Sequence, residues 1–322
     1  QRHLLRRETE IMLNTAKEAR PRASGKSSLD QEGPGYRLFS ALNIVIMCLV
    51  ILITLYPVYY VVAASVSEAD LLMRHGGLLL YPLGKLNVFS YELVFRNPMV
   101  LGGFANTFFV LIVGLCFNMV LTCIGAYLLA LKGSMFTRPL ALLILFTMYF
   151  SGGMIPAYMN VRDLGMIDSL WALIIPGAIN TYNMMIMRSA FAAVPDTLYE
   201  AAHLDGATHI RILSQIYLPL SGATLAVMVL YYGVGHWNSW FNASIYISDT
   251  TKYPLQLVLR QILMLNQNSQ LQASVTDNGE LAKYADQVKY ALIVVSSAPI
   301  LLLYPFLQKF FTKGVMVGAL KG

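Results

Sequence analysis

VPDTLYEAAHLDGATHIRILSQIYLP, residues 194–219, decides the fold of this chain, because it is a short polar punctuation set between two long apolar blocks. Its local physics is readable. Asp196 is a natural N-cap, a short helix over 197–205 places Glu200 near its positive end, and Gly206 supplies the left-handed residue that stops it. Thr208 is placed to cap a second helix that runs to Pro219 and on into the next apolar block. The expected product is helix, sharp elbow, helix. A helix of about nine residues is marginal alone in water, so it needs something to dock on. Ala201 and Ala202 leave a low profile on it that a partner's groove could close over. A helix lying on its own membrane surface is the competing reading from local physics alone.

Outward from this stretch the chain is apolar in blocks rather than in stripes. Of its 322 residues 57% are hydrophobic and 12% charged, with a mean hydropathy of +0.57, against the quarter of charged residues usual in soluble domains. Six segments lack Asp, Glu, Lys and Arg: 38–62, 104–131, 139–159, 170–187, 220–240 and 290–308. Each reaches the roughly 17 to 25 residues needed to cross about 30 Å of hydrocarbon. The expectation is an all-α, polytopic membrane protein with six transmembrane helices. The first block is too long for the h-region of a cleaved signal peptide and is not closed by a small-residue cleavage site.

An even number of crossings puts both termini on one side. Segments 1–37, 132–138, 188–219 and 309–322 together hold 15 basic and 8 acidic residues, against 8 and 9 elsewhere, so this side is read as cytoplasmic. The organisation expected is a flexible basic tail over 1–37, a transmembrane domain over 38–311 and a short cytoplasmic tail over 312–322. The domain carries the inner loop 194–219 and two long outer loops, 63–103 and 241–289. Loops of that length usually bind something.

Several functions are excluded by what is missing. The spans hold no charged residue of the kind that carries a proton or ion relay. The one partial phosphate-loop match, RPRASGKS at 20–27, has Arg in place of the first glycine and lies in the tail. The three cysteines, Cys48, Cys116 and Cys123, lie within apolar blocks without metal or disulfide spacing. Basic residues are not interleaved with aromatics, so nucleic acid is not expected. The chain is therefore read as neither an enzyme nor a metal or cofactor binder. If it moves solute uphill, another chain drives it; an ion-coupled secondary transporter is the alternative.

The spacing in 194–219 is E-A-A, three residues, G, nine residues, I-x-L-P, and it resembles the cytoplasmic loop signature of bacterial ABC importer permeases at every fixed position. The resemblance extends over nearly the whole chain: six apolar blocks, the signature before the fifth, and an ending KGVMVGALKG at 313–322 like that of carbohydrate-importer permeases of the maltose-permease type. The branch serving oligo- and polysaccharides matches best in kind, with alginate importers as a candidate relative. The resemblance implies the transmembrane fold of a type I importer in a bacterial inner membrane. It implies as partners a second homologous permease, two ATPases that bind ATP and Mg, an extracytoplasmic binding protein and a saccharide substrate. Carried over by position, Glu200, Ala201, Ala202, Asp205 and Gly206 are the ATPase-coupling residues, and Gly318, Lys321 and Gly322 a C-terminal ATPase contact.

A sugar path needs aromatic faces and neutral polar groups inside the spans. Asn180 and Asn183 lie three apart, Tyr232 and His236 four apart, and Asn118, Tyr149 and Ser151 complete the candidates. Each has the competing role of hydrogen-bonding a neighbouring helix as packing glue.

Overall fold

The structure, a computed structural model, describes residues 34–132, 136–272, 284, 286–302 and 305. The basic tail before residue 34 and the tail carrying Gly318, Lys321 and Gly322 lie outside the described residues. All regular elements among the described residues are helical.

Helix α1, Pro34–Ser65, is long and apolar enough to cross a bilayer, and its side chains from 38 to 59 are almost all exposed. From Tyr60 onward the chain forms a second compact unit. It begins with the short helices α2, Ala69–Arg74, and α3, Phe89–Arg96, inside the expected first outer loop. Asn97 then caps α4, Pro98–Ala130, by accepting from the Met99 N–H, with Pro98 at the first helical position where its missing donor costs nothing.

Helix α4 is the axis of this unit. Its 33 residues run about 50 Å, more than a bilayer core. It packs against α7, Thr181–Ala192, α10, Gly222–Trp237, and α12, Leu255–Gln272. Ala126, Tyr127 and Leu129 of α4 close on Met184, Met187 and Phe191 of α7 and Met228 of α10 in one core; Val100 meets Leu255 and Val258 in another.

Three expected spans differ from continuous helices. The third is α5, Thr137–Tyr149, and α6, Met154–Asp163, bent by 112° across residues 150–153. Ser151, Gly152 and Gly153 make the break, with Gly153 at φ 91. The fourth expected block, 170–187, opens as a 3-10 turn, Leu170–Leu173, and stays non-helical to Asn180, through Pro176 and Gly177. Only then does α7 start, capped by Asn180 Oδ1 on the Asn183 N–H at 3.0 Å. Before the fifth span, α9, His209–Leu220, meets α10 at 88°. Pro and Gly pairs are what the hydropathy window averages away: each removes a donor or adds freedom without adding polarity. The sixth block appears as a helix over 286–302. Among the described residues two helices, or four if each bent pair counts as one, pass as spans by length and composition.

The expected second outer loop, 241–289, holds nearly all of α11, Trp240–Tyr246, and the whole of α12. Asp168, at φ 60, clasps it: its Oδ1 accepts from the N–H groups of Ser248 and Asp249 at 3.0 and 2.9 Å, and Lys252 donates to its carbonyl at 3.0 Å. The Asp249 N–H first, the Ser248 N–H next and Lys252 in addition hold the Asp168 carboxyl below the usual aspartate range.

Candidate coupling elbow and intramembrane path

Helix α8, Asp196–Leu204, is the first half of the elbow. It starts one residue earlier than its capping residue suggests. Pro195 occupies the cap position, and Asp196 makes no cap hydrogen bond but pairs with Lys132, just past the end of α4, raising the Lys132 pKa through that hydrogen bond. Thr208 likewise stands at the cap of α9 without a side-chain bond.

At its far end Gly206 takes φ 78 and closes the helix in a Schellman motif. The Ala207 N–H reaches the Ala202 carbonyl at 3.0 Å and the Gly206 N–H reaches the His203 carbonyl at 3.1 Å. The space where a Cβ would sit on Gly206 is open, so its demand is conformational and not steric.

The elbow is braced from behind by aromatics. Tyr199 stacks on His203 at 5.8 Å and on His209 at 6.3 Å, and the Tyr127 hydroxyl meets His209 Nδ1 at 3.0 Å. Tyr217 packs edge-on against Tyr127 and Phe191. Within α9, residues Leu213–Tyr217 form a π-helical turn, the adjustment the chain makes two residues before Pro219. Tyr199 and Ala202 are half-buried against the α4–α7 core, while no residue of α8 is buried.

On the outward face Glu200, Ala201, Asp205 and Gly206 are all exposed. Beside them stand Leu204 and Ile210, 87% and 81% exposed. The sequence reading did not single these two out; the available signal was a pair of large aliphatics flanking the glycine of an otherwise polar turn. The bracing ring of Tyr127, Tyr199, His203 and His209 was also missed, because Tyr127 lies some 70 residues upstream.

The candidate path residues share a depth. Asn118 lies 12 residues, about 18 Å, before the end of α4; α7 has 12 residues below Asn180; His236 lies 14 residues, about 21 Å, along α10. At that level they divide. His236 Nε2 donates to Asn118 Oδ1 at 2.6 Å, and Asn118 Nδ2 donates to the carbonyls of Gly177 and Ala178 at 2.9 Å each. Since the carboxamide oxygen only accepts, the imidazole carries its proton on Nε2. The Tyr232 hydroxyl accepts from the Asn180 N–H at 3.2 Å and shares a bond with Thr122 at 2.7 Å. Asn118, Asn183, Tyr232 and His236 are buried, and Asn118 and Tyr232 pair the freed backbone of the broken fourth span; Tyr149, Ser151 and Asn180 are exposed.

Among the described residues no group of His, Cys, Asp and Glu could hold a metal ion. Compared with models of known families, the chain matches none. It is 40% identical over 288 residues to the protein LplC of Bacillus subtilis, covering 89% of this chain and 96% of that one. It is 36% identical over 287 residues to the polygalacturonan/rhamnogalacturonan transport system permease protein YtcP of the same organism, covering 89% and 99%. A chain in the crystal structure of a bacterial ABC transporter importing the acidic polysaccharide alginate superposes with a TM-score of 0.78 at 29% identity, over 87% of this chain and 98% of that one. With the E-A-A loop folded into its elbow and two full-length relatives above 30% identity, the chain belongs to the permease subunits of ABC carbohydrate importers.

Proposed function

We propose that this chain forms half of the translocation pore of an importer for an oligosaccharide or polysaccharide, a sister permease supplying the other half. Two separate ATPases carry ATP and Mg, and an extracytoplasmic binding protein delivers the sugar. Both termini face the cytoplasm of a multi-pass inner-membrane protein. The six-span count treats each bent pair as one crossing and adds the 170–192 segment and the last helix. The substrates named for YtcP, polygalacturonan/rhamnogalacturonan, and for the transporter of the solved structure, alginate, make a uronate-containing saccharide the first substrate class to test.

The observation that carries the reading is α8: nine residues, braced at one face by the aromatic ring, with nothing buried and Glu200, Ala201 and Leu204 outward. Such a helix gains its stability by docking, and a cleft in an ATPase is the partner the E-A-A signature implies. Closure of the ATPases then moves the elbow as one piece, rocking this subunit against its sister. The path is lined by the exposed set, Tyr149, Ser151 and Asn180, with the opened backbone at 150–153 and 175–180; irregular backbone at membrane depth is tolerated where it meets protein or a water-filled cavity. Asn118, Asn183, Tyr232 and His236 hold that wall from behind.

The test is reconstitution. Proteoliposomes carrying the two permeases, the ATPases and the binding protein should accumulate labelled oligogalacturonide or oligoalginate only with ATP. Liposomes carrying this chain alone should accumulate neither on a proton or sodium gradient. Accumulation by the lone chain would overturn the reading in favour of a secondary transporter.

A further inference from the structure

Toward the end of α4 opposite the elbow, about 50 Å away along that helix, the first outer loop and Tyr284 line an open cavity of about 270 Å³. It is lined by Glu68, Asp70, Lys85, Asn87 and Tyr284, with Ala69 and Leu86 between them. Its walls are pinned rather than loose. The Glu68 N–H reaches the Leu83 carbonyl at 2.8 Å, the Asn87 N–H reaches the Val66 carbonyl at 2.9 Å, and Ser67 Oγ accepts from the Leu83 N–H at 3.0 Å. Gly84, at φ 66, lets the chain fold back so closely that a Cβ there would collide with the Glu68 carboxylate.

Beneath the walls lies Gln287, fully buried, three residues after Tyr284. Its Nε2 donates to the carbonyls of Ser65, Ser67 and Asn87 at 3.3, 2.8 and 3.2 Å, tying both strands of the loop to the last helix. Tyr284 is held edge-on to Phe89 at 5.2 Å. The cavity thus joins an aromatic ring, an amide and charged groups on loop arms held by backbone hydrogen bonds, a lining able to fix the orientation of a small polar ligand.

We infer that this cavity is a receiving subsite for one neutral, hydroxyl-rich ring of an incoming saccharide in which neutral and uronate rings are mixed. The volume falls just below the roughly 300–1,000 Å³ of drug-sized ligand sites, room for a ring and not for an oligomer. The two carboxylates accept from sugar hydroxyls, Lys85 and the Asn87 amide donate to them, and the tyrosine offers a flat face. With two carboxylates against one ammonium the lining carries a net negative charge, so a uronate is repelled. The inference rests on the importer reading, which places this end of α4 on the side from which substrate arrives.

The test uses galactotriose and trigalacturonate, which differ by their carboxylates, with the assembled complex in nanodiscs and saturation-transfer NMR as the readout. Wild type should show a galactotriose signal that weakens about tenfold or more in Tyr284→Ala and in Asn87→Ala and persists in Tyr284→Phe; a tenfold loss equals ~1.4 kcal/mol, the scale of one good contact. The Tyr284-dependent part of the signal should be absent for trigalacturonate. No galactotriose signal in wild type, equal signals in wild type and Tyr284→Ala, or an equally strong Tyr284-dependent signal from trigalacturonate would each overturn the subsite. Binding is read without nucleotide, so failure of ATP-driven uptake with this binding intact would sink the importer reading and spare the site.

Discussion

Gly206 illustrates how much can rest on one residue. Its φ of 78 closes α8, and the open space around it means a side chain would meet no obstacle, only the wrong backbone. Gly206→Val should therefore cost on the order of 1–2 kcal/mol in the turn itself. The expected outcome is assembly at normal yield, retained ATP hydrolysis and lost uptake, measured together in proteoliposomes; Gly206→Asn, which tolerates the left-handed region, should keep uptake. Asn118 makes the opposite case. Asn118→Leu leaves two carbonyls and the His236 proton without their partner inside the membrane, each unpaired group costing about 1–3 kcal/mol. A thermal melt of the purified complex should show the loss, while Ser151→Ala on the exposed side should leave the melt unchanged. Asp168 adds a pH dependence. Its carboxyl is held low in the folded chain, so the clasp on 248–252 contributes above the unfolded aspartate range and is lost only as pH falls through the lower, folded value. Amide exchange at Ser248 and Asp249 should stay protected at neutral and mildly acid pH and open in strong acid, and Asp168→Asn should flatten that dependence.

At the level of elements, the elbow was legible because its signals are local: a proline, a glycine at the right offset and a nine-residue helix are all read within one stretch of chain. Pro156 and Pro176 can kink the third and fourth spans, but the break at Ser151-Gly152-Gly153 and the length of open backbone before Asn180 were not legible. Ser151-Gly152-Gly153 and Pro176-Gly177 are neutral, so a hydropathy count passes over them, and whether such a pair kinks or breaks a helix depends on what re-satisfies the backbone. In the fourth span that is Asn118, more than 50 residues away in sequence, which no local window contains. The same distance explains the candidate path. Sequence spacing put Asn180 with Asn183 and Tyr232 with His236, yet packing buries one member of the first pair and both of the second. The element-scale expectation follows: cysteines placed at 149, 151 and 180 should react with a water-soluble thiol reagent in membranes and be shielded by substrate during turnover, while a cysteine at 183 should stay unreactive.

At the scale of the molecule, α4 joins two ends: an elbow that leaves Glu200, Ala201, Leu204 and Ile210 exposed, and a lobe built from the described parts of the two long loops. The central claim is that force from nucleotide turnover enters through the elbow. The most direct measurement is photocrosslinking in intact membranes from a benzoylphenylalanine placed at Leu204, with one at exposed Leu142 of α5, inside the expected third span, as the control. The account predicts an adduct between position 204 and an ATPase subunit, changed in yield when nucleotide is trapped, and none from position 142. Adducts from position 204 to lipid alone, with no ATPase recovered under any nucleotide condition, would contradict it.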